Sequence, residues 1–243
     1  GSNNNGRKWW RFLTGITSNE DSEGESQSTS SSNGTVGTLS DGDKINAWNG
    51  HDGTDLNFVQ TTSADKPTYD NTEKAACKFD GNQFLDINSD MGIASDSDFA
   101  IVVNFKCTNF DSARAIMGDT SNEHVMITNN KTISVKVNGT NRNFAEASNT
   151  FATDQYYILT IVRKDDAMSA YVKGGAYTTE ETWGSEIAST AGDITISNLG
   201  AAADDGNNFI GFIKDVIVYT TNDGGLSRAA NRTALYNAIE NKY

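Results

Sequence analysis

One proline, two cysteines and two histidines are what this 243-residue chain has least of, and each scarcity closes off a class of protein. Two cysteines cannot knit a disulfide framework, and with His51 and His124 lacking ligand spacing they build no zinc site. No run of 18 apolar residues occurs, so no membrane-spanning helix is expected. Positive charge is scarce as well, with 19 Lys and Arg against 32 Asp and Glu, a formal charge of −13. Nucleic acid requires a basic face to neutralise phosphate, and an anionic bilayer asks for the same, so neither is an expected partner. Cys77 and Cys107 share the strand parity of apolar neighbours, Phe79 for the first and Val103 and Phe105 for the second. The pattern predicts two buried free thiols, with a disulfide as the alternative.

What the chain does have is glycine, at 22 positions, and 36% apolar residues, enough to build a real core around glycine-turned strands. Its most apolar run is FIGFIKDVIVY, Phe209–Tyr219, which reads as a central strand. Phe209 and Ile213 share one parity while Val216 and Val218 share the other. A bulge at Lys214-Asp215 produces that switch, because one extra residue moves every later side chain to the opposite face.

Other segments follow the same two-residue period. DFAIVVNFKC at 98–107 places Phe99, Ile101, Val103 and Phe105 on one face, and ACKFDGNQFLDI at 76–87 reads as two short strands around Asp80-Gly81-Asn82. The middle of the chain reads as hairpins: 113–118 with 124–128, then 124–128 with KTISVKV across Asn129-Asn130, then 155–164 with 167–175 across Asp165-Asp166. DITISNLG at 193–200 leads through an acid-rich loop into the central strand. TTEETWGSE, holding Glu180, Glu181 and Glu186, reads as a polar segment outside any strand. Helical periodicity appears only over 228–241, with Ser227 as N-cap and Leu235, Ala238 and Ile239 as a narrow apolar stripe. Many short strands at this spacing predict one β-sandwich over 39–243.

Residues 1–38 differ in kind. Arg7, Lys8, Trp9, Trp10, Arg11, Phe12 and Leu13 form a basic-aromatic cluster, followed by a Ser/Glu/Asn tract that cannot bury apolar surface by itself. Two readings stand: the tryptophans fold back onto their own domain, or the cluster is an anchoring arm that docks into another subunit of a larger assembly.

The order of segments resembles the concanavalin A-like lectin/glucanase superfamily in its laminin-G-like branch. The residues that carry the resemblance are Trp48-Asn49, Lys66-Pro67-Thr68-Tyr69, Phe79-Asp80-Gly81, Asp98-Phe99, Tyr156-Tyr157, Val172-Lys173-Gly174, Ile194 to Gly200, Phe209-x-Gly211-x-Ile213, Tyr219 and the closing Lys242-Tyr243. It covers 39–243 and leaves out the arm. The resemblance implies an all-β jelly-roll sandwich with a short C-terminal helix, to which the arm is appended.

Such a fold houses both enzymes and passive binders. Glucanase members carry acids in the pattern E-x-D-x-x-E, since retaining hydrolysis needs two carboxylates about 5 Å apart on one face. That spacing is missing here, and the only acid of the central strand is Asp215, so no enzyme is expected. Loop aromatics Trp48, Tyr69, Tyr177 and Trp183 are the candidates for stacking on a surface glycan. Laminin-G-like domains often hold calcium at a rim, and Asp204, Asp205 and Asn207 form the densest oxygen-rich loop, with Asp119 and Asn122 a second candidate. A solvated acidic loop without any cofactor is the default. In composition the chain resembles phage and other virion appendage proteins. The expected role is therefore a non-catalytic display or adhesion component at a virion surface or in extracellular space. A carbohydrate-binding module is the alternative, and a glycoside hydrolase a more remote one.

Overall fold

The computed structural model describes residues 39–50, 57–73, 76–87, 89–94, 97–119, 123–137, 139–145, 150–187, 194–202 and 207–241, together with the backbone of 7–11, 16–20 and 26–28. Its strands in chain order are β1 (Arg7–Arg11), β2 (Ile16–Glu20), β3 (Ser26–Ser28), β4 (Lys44–Asn49), β5 (Asn57–Val59), β6 (Thr68–Tyr69), β7 (Cys77–Asp80), β8 (Leu85–Asp86) and β9 (Phe99–Cys107). They continue as β10 (Arg114–Gly118), β11 (His124–Ile127), β12 (Ile133–Val137), β13 (Thr140–Phe144), β14 (Tyr156–Lys164), β15 (Ala167–Gly174), β16 (Tyr177–Ile187), β17 (Asn198–Leu199) and β18 (Ile210–Tyr219), before helix α1 (Ala229–Glu240).

One layer runs β7–β18–β9–β14–β15–β16, and the other runs β2–β4–β5–β8–β17–β10–β11–β12–β13, with β6 pairing to both β7 and β4 at the corner. Every ladder between named strands is antiparallel, and the two layers enclose one apolar core, the arrangement of a jelly-roll sandwich.

β18 explains why this sequence folds this way. Phe209, Ile213, Val216 and Val218 all enter the core, and the register against β9 slips between Ile213 and Asp215, so the bulge falls at the parity switch. Gly211, with φ at +149°, lies where β18 crosses β9, and a Cβ there would come 2.0 Å from the Lys106 carbonyl oxygen. Only glycine admits that approach. On β9, Phe99, Ile101, Val103 and Phe105 face inward, while Ala100 and Val102 turn outward with Ile158, Val162 and Ile217 to receive Tyr236 and Ile239 of α1.

The Asp165-Asp166 turn between β14 and β15 has φ of 49° and 63° at the two aspartates, the left-handed pair a two-residue turn requires. The turn between β11 and β12 is longer than expected. Thr128 and Thr132 close it, and Lys131, at φ 62°, takes the left-handed position in place of Asn129 or Asn130. β7 and β8 flank Asp80-Gly81-Asn82 but pair with β18 and β17 instead of each other, so this turn carries the chain between layers. Cys77 and Cys107 are buried free thiols on opposite sides of β18, and burial pushes the Cys107 thiol up to about 11.

Three further expectations change. Tyr177–Ile187 is a full edge strand, its polar composition notwithstanding, and Trp183 faces the core from it. Helix α1 begins at Ala229 without a side-chain cap, and its buried face is Arg232, Tyr236 and Ile239, while Ala238 is exposed. Finally, the sheet takes in residues ahead of 39. Arg7–Arg11 of the expected arm runs antiparallel to β18, with Trp9 opposite Ile217 and Trp10 opposite Val216. The physical reason is that β7 stops at Cys77, opposite Ile213, which leaves the β18 edge from Asp215 to Tyr219 for another strand. β2 pairs likewise with β4 and β3, whereas Phe12 and Leu13 lie outside the described residues.

Candidate functional site

Register places the site before any side chain is considered. Across the second layer, Val59, Asp86, Asn198, Gly118, His124, Lys136 and Asn141 stand directly opposite one another in a row. Their neighbours Leu85, Leu199, Met117, Val125 and Val137 face the core, so alternation turns the row outward.

Beside Asp86 of this row opens a cleft of about 390 Å³, lined by Asp86, Ser89, Asp90, Asp119, Thr195 and Ser197. Each lining side chain ends in oxygen, three as carboxylates and three as hydroxyls. Backbone bonds fix the walls: Ile87 N–H donates to Ser197 O (3.1 Å), Met91 N–H to Ile196 O (3.1 Å), Ile194 N–H to Ile93 O (2.9 Å) and Ser197 N–H to Gly118 O (3.3 Å).

Asp119 is held at both oxygens, accepting from the Thr195 hydroxyl (2.9 Å) and from the Ser197 hydroxyl (3.3 Å). Behind it Glu123, 4% exposed, accepts from the Thr195 amide and faces the same Thr195 hydroxyl at 3.1 Å. A hydroxyl has one hydrogen, so Thr195 donates it to Asp119 or to Glu123 but not to both at once. Asn198, 8% exposed and opposite Asp86 in the row, keeps its side-chain oxygen buried with no hydrogen-bond partner among the described residues. Buried amide oxygens are normally satisfied, so this one leaves an acceptor for a water or a ligand hydroxyl.

A second polar patch lies on the outer face of the first layer, beyond the end of α1. Tyr156 donates from its hydroxyl to Glu73 (3.0 Å), Lys106 ion-pairs with Glu73, and the Lys214 ammonium sits 4.1 Å above the Tyr156 ring. Burial, then the Glu73 charge and hydrogen bond, push the Tyr156 phenol well above its ordinary range. Asn104 donates to Asp215 (3.4 Å), and Asp215 is buried. These groups satisfy one another around a cleft of about 210 Å³.

The residues picked from sequence fall elsewhere. Trp48 and Trp183 have no exposed surface: Trp48 leans on Phe58 at 6.4 Å, and Trp183 stacks on Phe151 at 4.6 Å. Tyr177 lies against Trp183 at 6.2 Å and commits its hydroxyl to the backbone of Thr150, while Tyr69 packs partly buried on the core. Trp48 and Trp183 are thereby corrected from rim platform to core packing, while Tyr69 and Tyr177 are only partly buried. Asp204 and Asp205 lie outside the described residues, and Asn207 gives its carbonyl to the Ala115 amide at 2.7 Å. Of the second calcium candidate, Asp119 is in the cleft and Asn122 is outside the described residues. Among the described residues no three acidic, histidine or cysteine side chains group tightly enough to hold a metal ion. Glu180, on β16, gives both oxygens to Arg232 at 2.6 Å each, so it clamps α1 to the sheet edge.

Residues 79–222 match a laminin-G family model described as the concanavalin A-like lectin/glucanases superfamily. No curated protein sequence matches the chain. Among solved structures it is similar to a GH54 α-L-arabinofuranosidase soaked with a cyclic sulfate inhibitor, at TM-score 0.67 and 10% identity, covering 89% of this chain and 59% of that one. It is similar also to an arabinofuranosidase complexed with arabinofuranosyl-α-1,2-xylobiose, at TM-score 0.66 and 9% identity, covering 90% and 58%. The chain thus spans less than two thirds of the length of either, and at these identities the likeness is one of fold.

Proposed function

Because the chain belongs to the concanavalin A-like lectin/glucanase superfamily through its laminin-G family match, we propose that it is a non-catalytic carbohydrate-binding module. Its ligand is a neutral, hydroxyl-rich glycan seated in the cleft of Asp86, Ser89, Asp90, Asp119, Thr195 and Ser197. The observation that carries the reading is the fixed Asp119 carboxylate, oriented by two neighbouring hydroxyls inside a cleft lined by oxygen. Vicinal sugar hydroxyls donate to such carboxylates in pairs, and hydrogen bonds to charged acceptors are the stronger kind.

The same lining supports binding over hydrolysis. A glycosidase needs one carboxyl kept protonated to act on the leaving oxygen, which an apolar wall usually provides, and no apolar residue lines this cleft. Glu180 is held by Arg232, and Asp215 is 1% exposed. The lining also rejects anionic sugars, since it holds three carboxylates and no lysine or arginine.

The other reading of the sequence, display of the sandwich on a larger assembly such as a phage virion, loses most of its support, because the strand Arg7–Arg11 on which it rests pairs with β18 of its own sandwich.

The test is a glycan array probed with the full chain, followed by a hydrolysis screen on every glycan retained. The expected outcome is retention of one or more neutral glycans with no turnover. Retention of none removes the binding reading, and turnover that Asp119→Asn abolishes replaces it with an enzymatic one.

A further inference from the structure

The segment from Arg7 to Ser28 joins the sandwich at two of its edges. β1 continues the first layer where β7 ends, and β2, with β3 alongside, continues the second layer beyond β4. Both attachments are antiparallel ladders made by backbone groups, so any identical segment delivered in the same direction satisfies them equally. The β18 side of the slot is fixed by the core: Asp215, Val216, Ile217 and Val218 are each no more than 1% exposed, and β9 holds their other edge. The slot is specific in register, with Arg11 opposite Asp215 and Arg7 opposite Tyr219.

The incoming strand is opposite in charge to the chain as a whole. Residues 6–16 carry Arg7, Lys8 and Arg11 and no acid, in a chain of formal charge −13. One copy's segment is thus attracted to the body of another as well as to its own. Residues 29–38, rich in serine, glycine and threonine, join the segment to the turn at 40–43 that Tyr69 holds, and their contour is at most about 35 Å, enough to reach a copy lying alongside.

We infer that the β18 edge from Asp215 to Tyr219 is a strand-exchange site, at which Arg7–Arg11 of a second copy takes the place of the chain's own strand. Exchange of an identical element between copies creates no new contact type, so it is a low-cost route to assembly. A tether of this length holds the chain's own strand at an effective concentration of about millimolar, so exchange belongs to crowded settings in which copies approach that density. This inference stands apart from the glycan cleft, which lies on the outer face of the other layer.

Cysteine bridging across the register tests it. A Lys8→Cys/Val218→Cys double variant reports the strand's position within one chain, and a co-refolded mixture of the two single variants at about millimolar concentration, oxidised after refolding, reports exchange. Val218 is a core position that accepts cysteine's similar volume. The expected result is a bridge between positions 8 and 218 within monomers of the double variant, and a covalent dimer linked 8 to 218, identified by peptide mass, in the mixture. Buried Cys77 and Cys107 give different peptide masses and do not confuse the assignment. If the double variant closes its bridge while the mixture yields no 8-to-218 dimer, exchange is refuted. If the double variant itself fails to close the bridge, the register on which the inference stands is wrong and it falls as well.

Discussion

Single residues decide more of this fold than their chemistry advertises. Gly211 is the clearest: β18 can lie across the Lys106 carbonyl only because nothing projects from that position. We predict that Gly211→Ala destabilises the chain by about 3 kcal/mol, combining overpacking with an unfavourable positive φ, as read from the midpoint of urea unfolding. A loss under about 1 kcal/mol would mean that β18 and β9 separate easily there. Residues also show where sequence reading stops. The parity switch at Lys214-Asp215 was legible because four large apolar side chains keep to the core face on either side of it while their parity changes. Trp48 and Trp183 looked like surface platforms because turn-forming or acidic residues surround them in sequence, yet ring size won and both went to the core. Asn198 carried no signal at all, being one asparagine among many until its neighbours in the sheet were known.

At the scale of elements, apolar strands were readable and polar ones were not. β9, β14 and β18 are apolar on both faces because α1 covers the side turned away from the core. β16 is an edge strand with mostly polar side chains, so alternation was masked although Tyr177 and Trp183 share a parity. Helix α1 was found with Leu235 and Ile239 rightly on its inward face, but Ala238 is exposed, and Arg232 went unread because a buried arginine stands in the stripe, neutralised by Glu180 and laid 3.5 Å from the Tyr171 ring centre. The loop that starts this helix gives a pH prediction. Asp223 accepts from the amides of Gly225 (3.1 Å) and Ser227 (3.1 Å). Burial opposes its ionisation, but the Ser227 and Gly225 hydrogen bonds outweigh this and hold its carboxyl below the ordinary value of 3.8. A depressed folded-state pKa contributes stability that is complete above the unfolded value and lost as pH falls through the folded one. The wild type should therefore lose stability below about pH 4 more steeply than Asp223→Asn, as followed by thermal melts from pH 6 to 2.5. Parallel curves for the two proteins would remove Asp223 from the account.

For the whole molecule, the jelly roll was legible because the order of turns and strands along 39–243 carries the family resemblance, and the family match over 79–222 agrees with it. The site was not legible, and the reason is physical. Its walls come from Asp86, Ser89 and Asp90, from Asp119, and from Thr195 and Ser197, residues that sequence separates and the β8–β17–β10 ladder brings side by side. None of those residue types is unusual in a chain with 32 acids. The central claim is that this cleft, and not the lysine-lined one on the other layer, receives the glycan. Calorimetric titration of a glycan retained by the full chain tests it most directly, with Asp119→Asn and Asp86→Asn compared against Lys173→Ala at the other cleft. The account predicts at least a tenfold loss of affinity, about 1.4 kcal/mol, for each cleft aspartate and no change for Lys173→Ala. Unchanged binding in both aspartate variants, or a loss confined to Lys173→Ala, would contradict it.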